Sequence, residues 1–289
     1  MKYRFVQTDE ATLANYRALF EVCFPNARHY TIPYLKWLYT SNPAGVAIGF
    51  DAVAGERWAA HYACIPVWAR VKGEMQKGLL SLNTATHPDF QGKGLFTKLA
   101  NMTYEYACDN GYRFVYGVAN ANSAPGFTRR LGFQLVCPLE ARLGFGGFFA
   151  DAREYETLQA EVVFARAWDN ASLRWRMANP TNSVGAQTLS TSLHSFTAHT
   201  NYPLIQVYSE MLVSDWGPAS SPSSRTSFGL PKLFLGLFPG KRWTHPNYWA
   251  IPKRLRPSPL HLIYRDLHST GTTLAPNACL ISFMDFDAY

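Results

Sequence analysis

Two glycines separate an apolar strand from an amphipathic helix in the N-terminal half of the chain. Leu79–Thr86 has a strand pattern, and Gly92 and Gly94 follow it. From Lys93 onward, apolar residues recur every three or four positions, which is the period of a helix. Phe114–Ala119 then returns to a strand pattern. A strand, a crossover helix and a second strand predict a parallel pair within one sheet.

The elements before this crossover predict an α/β (α+β) domain over residues 1–145. Lys2–Val6 predicts a strand, and Asp9 can cap the helix that follows it. A second helix is predicted over Ile32–Tyr39. Alternation and turn residues predict an antiparallel meander over Ala47–Val53, Trp58–Trp68 and Val71–Gly73. We therefore expect a mixed central sheet flanked by helices.

The remaining residues, 146–289, predict a smaller mixed domain. Helical patterning covers residues 156–178. Strands are predicted over Leu204–Val213, His261–Tyr264 and Ala278–Phe286. We expect this C-terminal domain to have an acceptor-side or interaction role.

A short pattern occurs once in each half of the chain. Residues 35–37 read Leu-Lys-Trp and lead to Asn-Pro at 42–43. Residues 173–175 read Leu-Arg-Trp and lead to Asn-Pro at 179–180. Chance similarity is one interpretation, and a degenerate second copy of the first domain is the other.

Composition limits the class of protein. The chain has 289 residues, of which 47% are hydrophobic, so it has enough apolar residues for two folded cores. Its five cysteines are scattered and lack the spacing of a zinc site, so we expect reduced thiols and no metal. The charged N-terminus does not match a signal peptide, and no apolar run approaches the roughly 20 residues of a membrane span. We therefore expect a cytoplasmic protein with no membrane partner.

The net charge of +7 is compatible with an anionic small molecule or with nucleic acid. Binding to nucleic acid or the ribosome is one interpretation of this charge and of the aromatic content. However, the basic residues are dispersed and form no basic motif interleaved with aromatic residues. We therefore expect no nucleic-acid partner.

The turn before the crossover helix has the chemistry of an anion site. Glycine allows the backbone to turn tightly, so that several N–H groups converge on one point. A helix N-terminus adds unpaired N–H groups and the positive end of the helix dipole, and Lys93 adds a charge. The spacing differs from the P-loop and from the dinucleotide-binding motif. A plain strand-to-helix turn is the alternative interpretation.

Two segments of the chain resemble a known family. Gln91–Phe96 resembles the Q/R-x-x-G-x-G/A signature of the GNAT superfamily of acyl-CoA-dependent N-acyltransferases. Asn120–Ser123 and Phe127–Phe133 resemble the second element of that family, N-x-x-S followed by Y-x-x-x-G-F. The resemblance covers residues 1–145, and residues 37–45 and the region around His61 resemble a subgroup that carries an extra C-terminal domain. The resemblance to the GNAT superfamily implies a central sheet in which two strands splay apart around acyl-CoA.

The resemblance also implies a ligand and its contacts. Acetyl-CoA or another acyl-CoA would be the co-substrate, and the acceptor would be a primary amine of a small molecule or a peptide. Backbone groups near Thr84 would bind the pantetheine arm, and the N–H groups of Gln91–Phe96 would bind the pyrophosphate. The positions carried over for this ligand are Thr84, Ala85, Thr86, Gln91, Gly92, Lys93, Gly94, Leu95, Phe96, Asn120, Ser123 and Phe127.

The sequence departs from the family at its catalytic positions. Phe96 occupies the place of the last small residue of the first signature. The tyrosine that would protonate the departing thiolate is replaced by Phe127 or Thr128, depending on the alignment. Tyr116 and Ser123 are the candidate substitutes for this acid.

A base that accepts the proton of the attacking amine is also missing from the strand Leu79–Thr86, which has no carboxylate. His61 is the candidate, because histidine titrates near neutral pH, and a structural histidine is the alternative. The resemblance to two-domain relatives adds the terminal carboxylate of residues 285–289, which end at Tyr289, as a further candidate, and a frayed tail is the alternative. The leading hypothesis is therefore an N-acyltransferase, and the alternative is a CoA- or nucleotide-binding module with reduced catalysis.

Overall fold

The structure is a computed structural model that describes residues 1–149, 151–213, 216, 229–239, 247–252, 254 and 259–287. It divides into two compact units, each made of three chain segments. The first unit comprises residues 1–68, 76–135 and 263–273. The second comprises the described residues within 69–75, 136–262 and 274–289.

The N-terminal half mixes helices and strands. In chain order they are β1 (Lys2–Phe5), α1 (Glu10–Cys23), α2 (Ile32–Thr40), β2 (Ile48–Ala54), β3 (Arg57–Val71), β4 (Glu74–Thr86), α3 (Leu95–Asp109), β5 (Phe114–Ala119), α4 (Ala124–Leu131) and β6 (Gln134–Pro138). The later elements are β7 (Glu140–Gly144), α5 (Ala152–Ala160), β8 (Phe164–Arg166), α6 (Asn170–Met177), β9 (Gly185–Thr188), β10 (Leu193–His199), β11 (Gln206–Leu212), β12 (Lys232–Gly236), β13 (Tyr248–Ala250), β14 (His261–Asp266) and β15 (Cys279–Leu280).

The first unit is built on a mixed sheet with the strand order β1-β2-β3-β4-β5-β14-β6. The pairs β1–β2 and β2–β3 are antiparallel, whereas β4–β5 is parallel, as the crossover pattern predicts. The crossover helix α3 buries Leu99 and Tyr104 in one core cluster with Val115 of β5. The predicted α/β architecture of a mixed sheet flanked by helices is therefore confirmed. The strand β14 enters this sheet from far along the chain.

Two polar caps start the first two helices. Asp9 accepts a hydrogen bond from the backbone N–H of Thr12 at 3.0 Å, as the sequence predicts for α1. Thr31 accepts one from Tyr34 N–H at 3.3 Å and begins α2. The buried tyrosines Tyr16 and Tyr39 belong to these helices.

The second unit has a six-stranded sheet with the order β13-β7-β12-β11-β10-β9. The pairs β9–β10 and β10–β11 are antiparallel, and β11–β12 is parallel. Apart from this sheet, β8 pairs with residues 69–71 of β3 and with β15. Along the order β9-β10-β11-β12, two antiparallel pairs are therefore followed by a parallel pair. The sheet of the first unit also contains a parallel pair, β4–β5.

The repeated Leu-x-Trp and Asn-Pro pattern has the same local structure in both halves. Each copy is the last part of a helix, α2 or α6, followed by a buried asparagine. Asn42 accepts a hydrogen bond from Ala44 N–H at 3.2 Å, and Asn179 accepts one from Thr181 N–H at 3.0 Å. The shared Asn turn and the shared strand pairing favour the interpretation of a degenerate second copy.

Three segments differ from the sequence-based prediction. Residues 156–178 are not one helix, because β8 separates α5 from α6 and pairs on both sides. Ala278–Phe286 is mostly not a strand, since only Cys279 and Leu280 pair in a ladder and a 3-10 turn follows at 283–285. Lys72 and Gly73 have positive φ angles and form the β3–β4 turn, so the predicted strand ends at residue 71.

Candidate functional site

The parallel strands β4 and β5 pair over only part of their length. Their register joins Leu79 to Val115 and Leu80 to Tyr116. Beyond this point β4 continues to Thr86 and β5 to Ala119 without a further pair between them in the described structure. The two strands therefore part toward their carboxyl ends, where the resemblance to the GNAT family places an acyl-CoA cleft.

Asn83 bends β4 at the start of this cleft. Its φ of 47° lies in the left-handed region, which is unusual for a residue other than glycine and rare inside a strand. Its side chain is buried, and the Nδ2 group donates to the hydroxyl oxygen of Tyr39 at 3.0 Å. The bend redirects the backbone of the next residues, Thr84, Ala85 and Thr86, relative to β5.

The predicted anion turn follows β4 directly. Gly92 and Gly94 have φ angles of 75° and 71°, a conformation that strains any residue with a Cβ. A Cβ built on either glycine would meet no described atom within 4 Å, so the turn is open to solvent. Gly94 caps α3, and the first intrahelical hydrogen bond runs from Lys98 N–H to its carbonyl at 3.0 Å. The N–H groups at 95–97 precede this bond and are available to an anion.

Side chains around the turn hold it in place. Arg57 forms an ion pair with Asp89 and lies over the ring of Phe90, 5.2 Å from its centroid. The ammonium group of Lys93 lies 4.8 Å from the same ring. Gln91 is exposed and donates weakly to the carbonyl of Thr86 at 3.5 Å. The turn therefore presents an exposed cation beside the open N-terminus of α3.

Leu95 and Phe96 point into the protein from the first turn of α3. Leu95 is buried in the core cluster, and Phe96 packs against it. The ring of Phe96 meets Phe127 at a centroid distance of 5.2 Å, and a Cβ on Gly126 would come within 3.1 Å of it. Phe96 thus joins α3 to α4, so that its backbone faces the turn while its side chain fills the core.

The second family-like segment forms the turn into α4. The Asn120 side chain accepts from the N–H groups of Asn122 and Ser123, both at 3.0 Å. The hydroxyl of Ser123 accepts from Asn120 N–H at 3.1 Å and donates to Asn120 Oδ1 at 3.2 Å, so it must turn from Asn120 to reach a ligand. These two side chains therefore shape the loop after β5.

Neither replacement for the family's tyrosine offers an acid here. Phe127 is buried against Phe133, and its ring has no proton to donate. The hydroxyl of Thr128 donates within α4 to the carbonyl of Ala124 at 3.0 Å. Tyr116 is fully buried on β5, on the same strand face as Phe114. Of the predicted acids, Ser123 is thus the one that lies on a loop at the end of β5.

His61 belongs to a buried hydrogen-bonded chain beneath the bend in β4. Its Nδ1 lies 2.7 Å from the carboxylate of Asp51, and its Nε2 lies 2.8 Å from the hydroxyl of Tyr39. Tyr16 donates to the other oxygen of Asp51 at 2.8 Å. With Asn83 bonded to Tyr39, the chain runs from the cleft strand to a carboxylate that is fully buried.

The directions of the hydrogen bonds in this buried hydrogen-bonded chain follow from the donors at its two ends, Asn83 and Tyr16. Burial raises the pKa of Tyr39 well above its usual range, so its hydroxyl keeps its proton. Because that oxygen accepts from Asn83, the Tyr39 O–H donates to Nε2 of His61. The imidazole proton is then on Nδ1 and is donated to Asp51. Burial and the charge of Asp51 likewise raise the pKa of Tyr16, which stays a donor.

The thiol of Cys64 is not a candidate nucleophile. It is fully buried, and burial raises its pKa to about 12. The thiolate is the reactive form of cysteine, and a pKa this high keeps its population small near neutral pH. A covalent step through Cys64 therefore has no support in the structure.

Sequence reasoning found His61 but missed its partners, Asp51, Tyr39 and Tyr16. Asp51 and His61 are directly opposite each other on β2 and β3. A register shift at Ala52 and Val53 produces this pairing. Counting outward from the hairpin turn would instead place Ala60 opposite Asp51. The sequence therefore carried no clear signal for the pair.

Three further predictions concern the terminal carboxylate, metal binding and membrane spans. Ala288 and Tyr289, which include the predicted terminal carboxylate, lie outside the described residues. Within the described part of the chain, no cluster of three or more His, Cys, Asp or Glu side chains could hold a metal ion. Among the same residues, no helix is both long and apolar enough to cross a membrane.

The comparisons with known proteins agree with this geometry. A family model described as an acetyltransferase (GNAT) domain matches residues 2–136. No curated protein matches the sequence at a significant level.

Several solved structures share the fold over 92% of this chain. A probable N-acyltransferase of Enterococcus faecalis V583 has a TM-score of 0.58 at 10% identity, with 73% of that chain covered. A GCN5-related N-acetyltransferase of Anabaena variabilis has a TM-score of 0.53 at 12% identity, also with 73% covered. Eis1 of Mycobacterium abscessus has a TM-score of 0.56 at 11% identity, with 74% covered. At these identities the likeness establishes the fold. The family match identifies residues 2–136 as an acetyltransferase (GNAT) domain.

Proposed function

We propose that this protein is an acyl-CoA-dependent N-acyltransferase, with acetyl-CoA as the first expected donor. The acceptor is a primary amine of a small molecule or peptide, which attacks the thioester directly in a ternary complex. The observation that carries the proposal is the parting of β4 and β5 beside an open glycine turn. An acyl-CoA needs a cleft for its thioester and, at the end of that cleft, a site for its pyrophosphate.

The turn fits a pyrophosphate in shape and charge. Gly92 and Gly94 have positive φ angles in open space, and a residue with a Cβ would be strained in either place. Lys93 supplies a positive charge, and the dipole of α3 adds to it. The N–H groups of Gln91–Phe96 would bind the phosphate oxygens. Backbone groups of Thr84, Ala85 and Thr86 would bind the pantetheine arm, with Asn120, Ser123 and Phe127 shaping the opposite side.

The buried chain supplies a route for the proton that the amine loses. CoA provides an activated acyl group as a thioester, and the amine nitrogen replaces sulfur on the carbonyl carbon. The amine proton passes by way of water near Asn83 to the Tyr39 oxygen, while Tyr39 gives its own proton to Nε2 of His61. Asp51 stabilises the imidazolium that forms. His61 therefore acts through Tyr39, because both of its nitrogens are engaged.

The departing thiolate needs little help from the protein. A free thiol has a pKa of about 8.5, so its anion is a fair leaving group near neutral pH. Ser123 is the hydrogen-bond donor that we favour for the departing sulfur, because Tyr116 is fully buried. The sulfur leaves as the thiolate and takes its proton from water. Positioning of the amine and hydrogen-bond donation to the thioester carbonyl then account for most of the rate enhancement.

Release of free CoA thiol in the presence of an amine panel tests this function. The panel contains small alkyl amines, an amino sugar, an aminoglycoside and short peptides, each with acetyl-CoA and with a longer acyl-CoA. We expect amine-dependent thiol release with at least one class and a matching N-acyl product by mass spectrometry. CoA binding without turnover across the panel would favour the alternative, a CoA- or nucleotide-binding module.

A glycine pair tests the turn within the same assay. Gly94→Ala is expected to raise the KM for acyl-CoA about tenfold, because alanine disfavours the left-handed backbone that opens the N–H groups. Gly111→Ala is the matched control, since Gly111 has a φ of 80° and open space around it but lies beyond the other end of α3. Equal KM values for the two variants would contradict a phosphate role for the turn.

A further inference from the structure

The fork between β4 and β5 has a defined floor. After the paired residues Leu80 and Tyr116, the next residues on the two strands are Ser81 and Gly117. A Cβ built on Gly117 would lie 3.4 Å from the Cβ and from the carbonyl oxygen of Ser81. It would lie 3.6 Å from Cγ1 of Ile263 on β14, the strand beside β5. We call Ser81, Gly117 and Ile263 the fork floor, because the two strands are still in contact here and part beyond it.

The glycine in the fork floor is required neither by the backbone nor by close packing. The φ angle of Gly117 lies outside the left-handed region, so a residue with a Cβ would not be strained there. Other strand glycines differ, because a Cβ at Gly49 would collide with the Tyr62 carbonyl and one at Gly78 with the Phe114 ring. A Cβ at Gly117 would make ordinary van der Waals contacts. Gly117 therefore leaves a space about the size of a methyl group.

Buried hydroxyl groups hold the fork floor in place. The Ser81 hydroxyl lies 2.8 Å from the hydroxyl of Tyr62, which lies 2.6 Å from the hydroxyl of Tyr104. Both tyrosines are buried, and they belong to the core cluster that contains Ile263 and Leu99 of α3. Ser81 itself is half-buried. The fork floor therefore lies on the face of the sheet that α3 covers, and its side chains are fixed by packing and hydrogen bonds.

The side chain of Asn83 lies on the opposite face of the sheet. It donates to Tyr39, which bonds His61, and His61 points away from its neighbour Tyr62 on β3. In a regular strand Ser81 and Asn83 would share a face, but the φ of 47° at Asn83 breaks the alternation. The same stretch of β4 therefore borders the proposed proton route on one face and the fork floor on the other.

The order of the proposed contacts along β4 decides which part of the donor reaches the fork floor. The pyrophosphate is assigned to the turn at residues 91–96, and the pantetheine arm to residues 84–86 at the end of β4. The arm therefore runs back along β4 from the turn toward the fork. The thioester follows it beside Asn83, and the acyl group beyond the thioester meets Ser81 and Gly117.

We propose that the fork floor sets the length of the acyl group, and that Gly117 is the residue that determines this specificity. The space at Gly117 admits the terminal methyl of a propionyl group, so the donors are acetyl-CoA and propionyl-CoA. Ser81 and Ile263 close the floor beyond this space and exclude longer chains. This inference rests on the proposed function, because it assigns the acyl end of the same cleft.

Binding of acyl-CoA esters in the absence of an amine tests the proposal without relying on turnover. Isothermal titration calorimetry of the full-length protein compares CoA with acetyl-, propionyl-, butyryl- and hexanoyl-CoA. We expect propionyl-CoA to bind about fourfold more tightly than acetyl-CoA, which is the typical contribution of one buried methylene group. Butyryl-CoA and hexanoyl-CoA should bind at least about tenfold more weakly than propionyl-CoA, because an overfilled site is strained.

Two variants shift the chain-length limit in opposite directions. Gly117→Ala fills the space, so propionyl-CoA should bind at least about tenfold more weakly, while the affinities for CoA and acetyl-CoA change less than about twofold. Ile263→Val removes a carbon from the floor, and we expect butyryl-CoA to bind about fourfold more tightly. Ile65→Val is the matched control, because it removes the same carbon from an equally buried isoleucine on β3, and it should bind like wild type.

The outcomes separate this inference from the proposed function. Equal affinities from acetyl-CoA through hexanoyl-CoA, with CoA bound, would overturn the role of the fork floor alone. A Gly117→Ala protein that loses affinity for CoA as much as for propionyl-CoA would do the same, because the change would not act on the acyl group. Failure of the wild-type protein to bind CoA or any of the thioesters would overturn both this inference and the proposed function.

Discussion

Replacing Tyr39 with phenylalanine is expected to lower kcat about 100-fold while the KM for acyl-CoA changes less than about twofold. The ring stays and continues to pack beside Tyr16 and His61. The lost hydroxyl is the one group that joins the Asn83 amide to Nε2 of His61. Without it, His61 has no bonded path toward the cleft strand. Steady-state kinetics with the best amine of the panel measures the effect.

The matched control for this change is Tyr104→Phe. Tyr104 is also buried, and its hydroxyl bonds another tyrosine hydroxyl, that of Tyr62, at 2.6 Å. Tyr39→Phe loses the two hydrogen bonds of its hydroxyl, and Tyr104→Phe loses the one to Tyr62, so we expect each variant to lose about 1–3 kcal/mol of unfolding free energy. Of the two tyrosine variants, only Tyr39→Phe should lose kcat, and His61→Gln should lose it to a similar extent. Similar kcat values for the two tyrosine variants would assign the buried chain a purely structural role.

Asp51→Ala is expected to have the largest effect on stability. The carboxylate is fully buried and accepts from His61 at 2.7 Å and Tyr16 at 2.8 Å, with Arg4 Nε 3.7 Å away. Removing it leaves these donors buried without an acceptor. Losing one partner of a buried charged network typically costs about 3–5 kcal/mol. Urea unfolding followed by tryptophan fluorescence measures this, because Trp58 packs on Tyr16 at 5.1 Å.

Two further variants make the stability experiment specific. Asp51→Asn keeps one acceptor oxygen at the same place, so we expect a smaller loss than for alanine. Asp109→Ala removes an exposed carboxylate at the end of α3 and should change the free energy by less than about 0.5 kcal/mol. An Asp51→Ala protein within 1 kcal/mol of wild type, by the same typical scale, would show that the network is not tightly coupled.

The sequence was most informative where local patterns decide structure. The period change after Gly94 predicted α3, and the Asp9 cap predicted the start of α1. The crossover between Leu79–Thr86 and Phe114–Ala119 predicted the parallel pair. Each of these follows from residues within one element or its turn. The glycine turn at residues 91–96 could be located for the same reason.

The sequence was least informative where distant segments decide structure. The short strand β8 interrupts a helical pattern because Phe164 and Ala165 pair with Cys279 and Leu280. The pairing of Asp51 with His61 depends on a one-residue register shift, which reverses the expected face of the strand. The bend at Asn83 depends on a hydrogen bond to Tyr39 from another element. None of these contacts is visible in a single local pattern.

The central claim is that the turn at residues 91–96 binds the pyrophosphate of CoA while the end of β4 binds the pantetheine arm. Backbone amide shifts of the ¹⁵N-labelled, deuterated protein test both parts in one titration. CoA and pantetheine are compared, because they share the arm and differ in the pyrophosphate and nucleotide. We expect the amides of Thr84, Ala85 and Thr86 to shift with both ligands, and those of Gly92 through Phe96 to shift with CoA alone. Unchanged amides at Gly92 through Phe96 in the presence of saturating CoA would contradict the account.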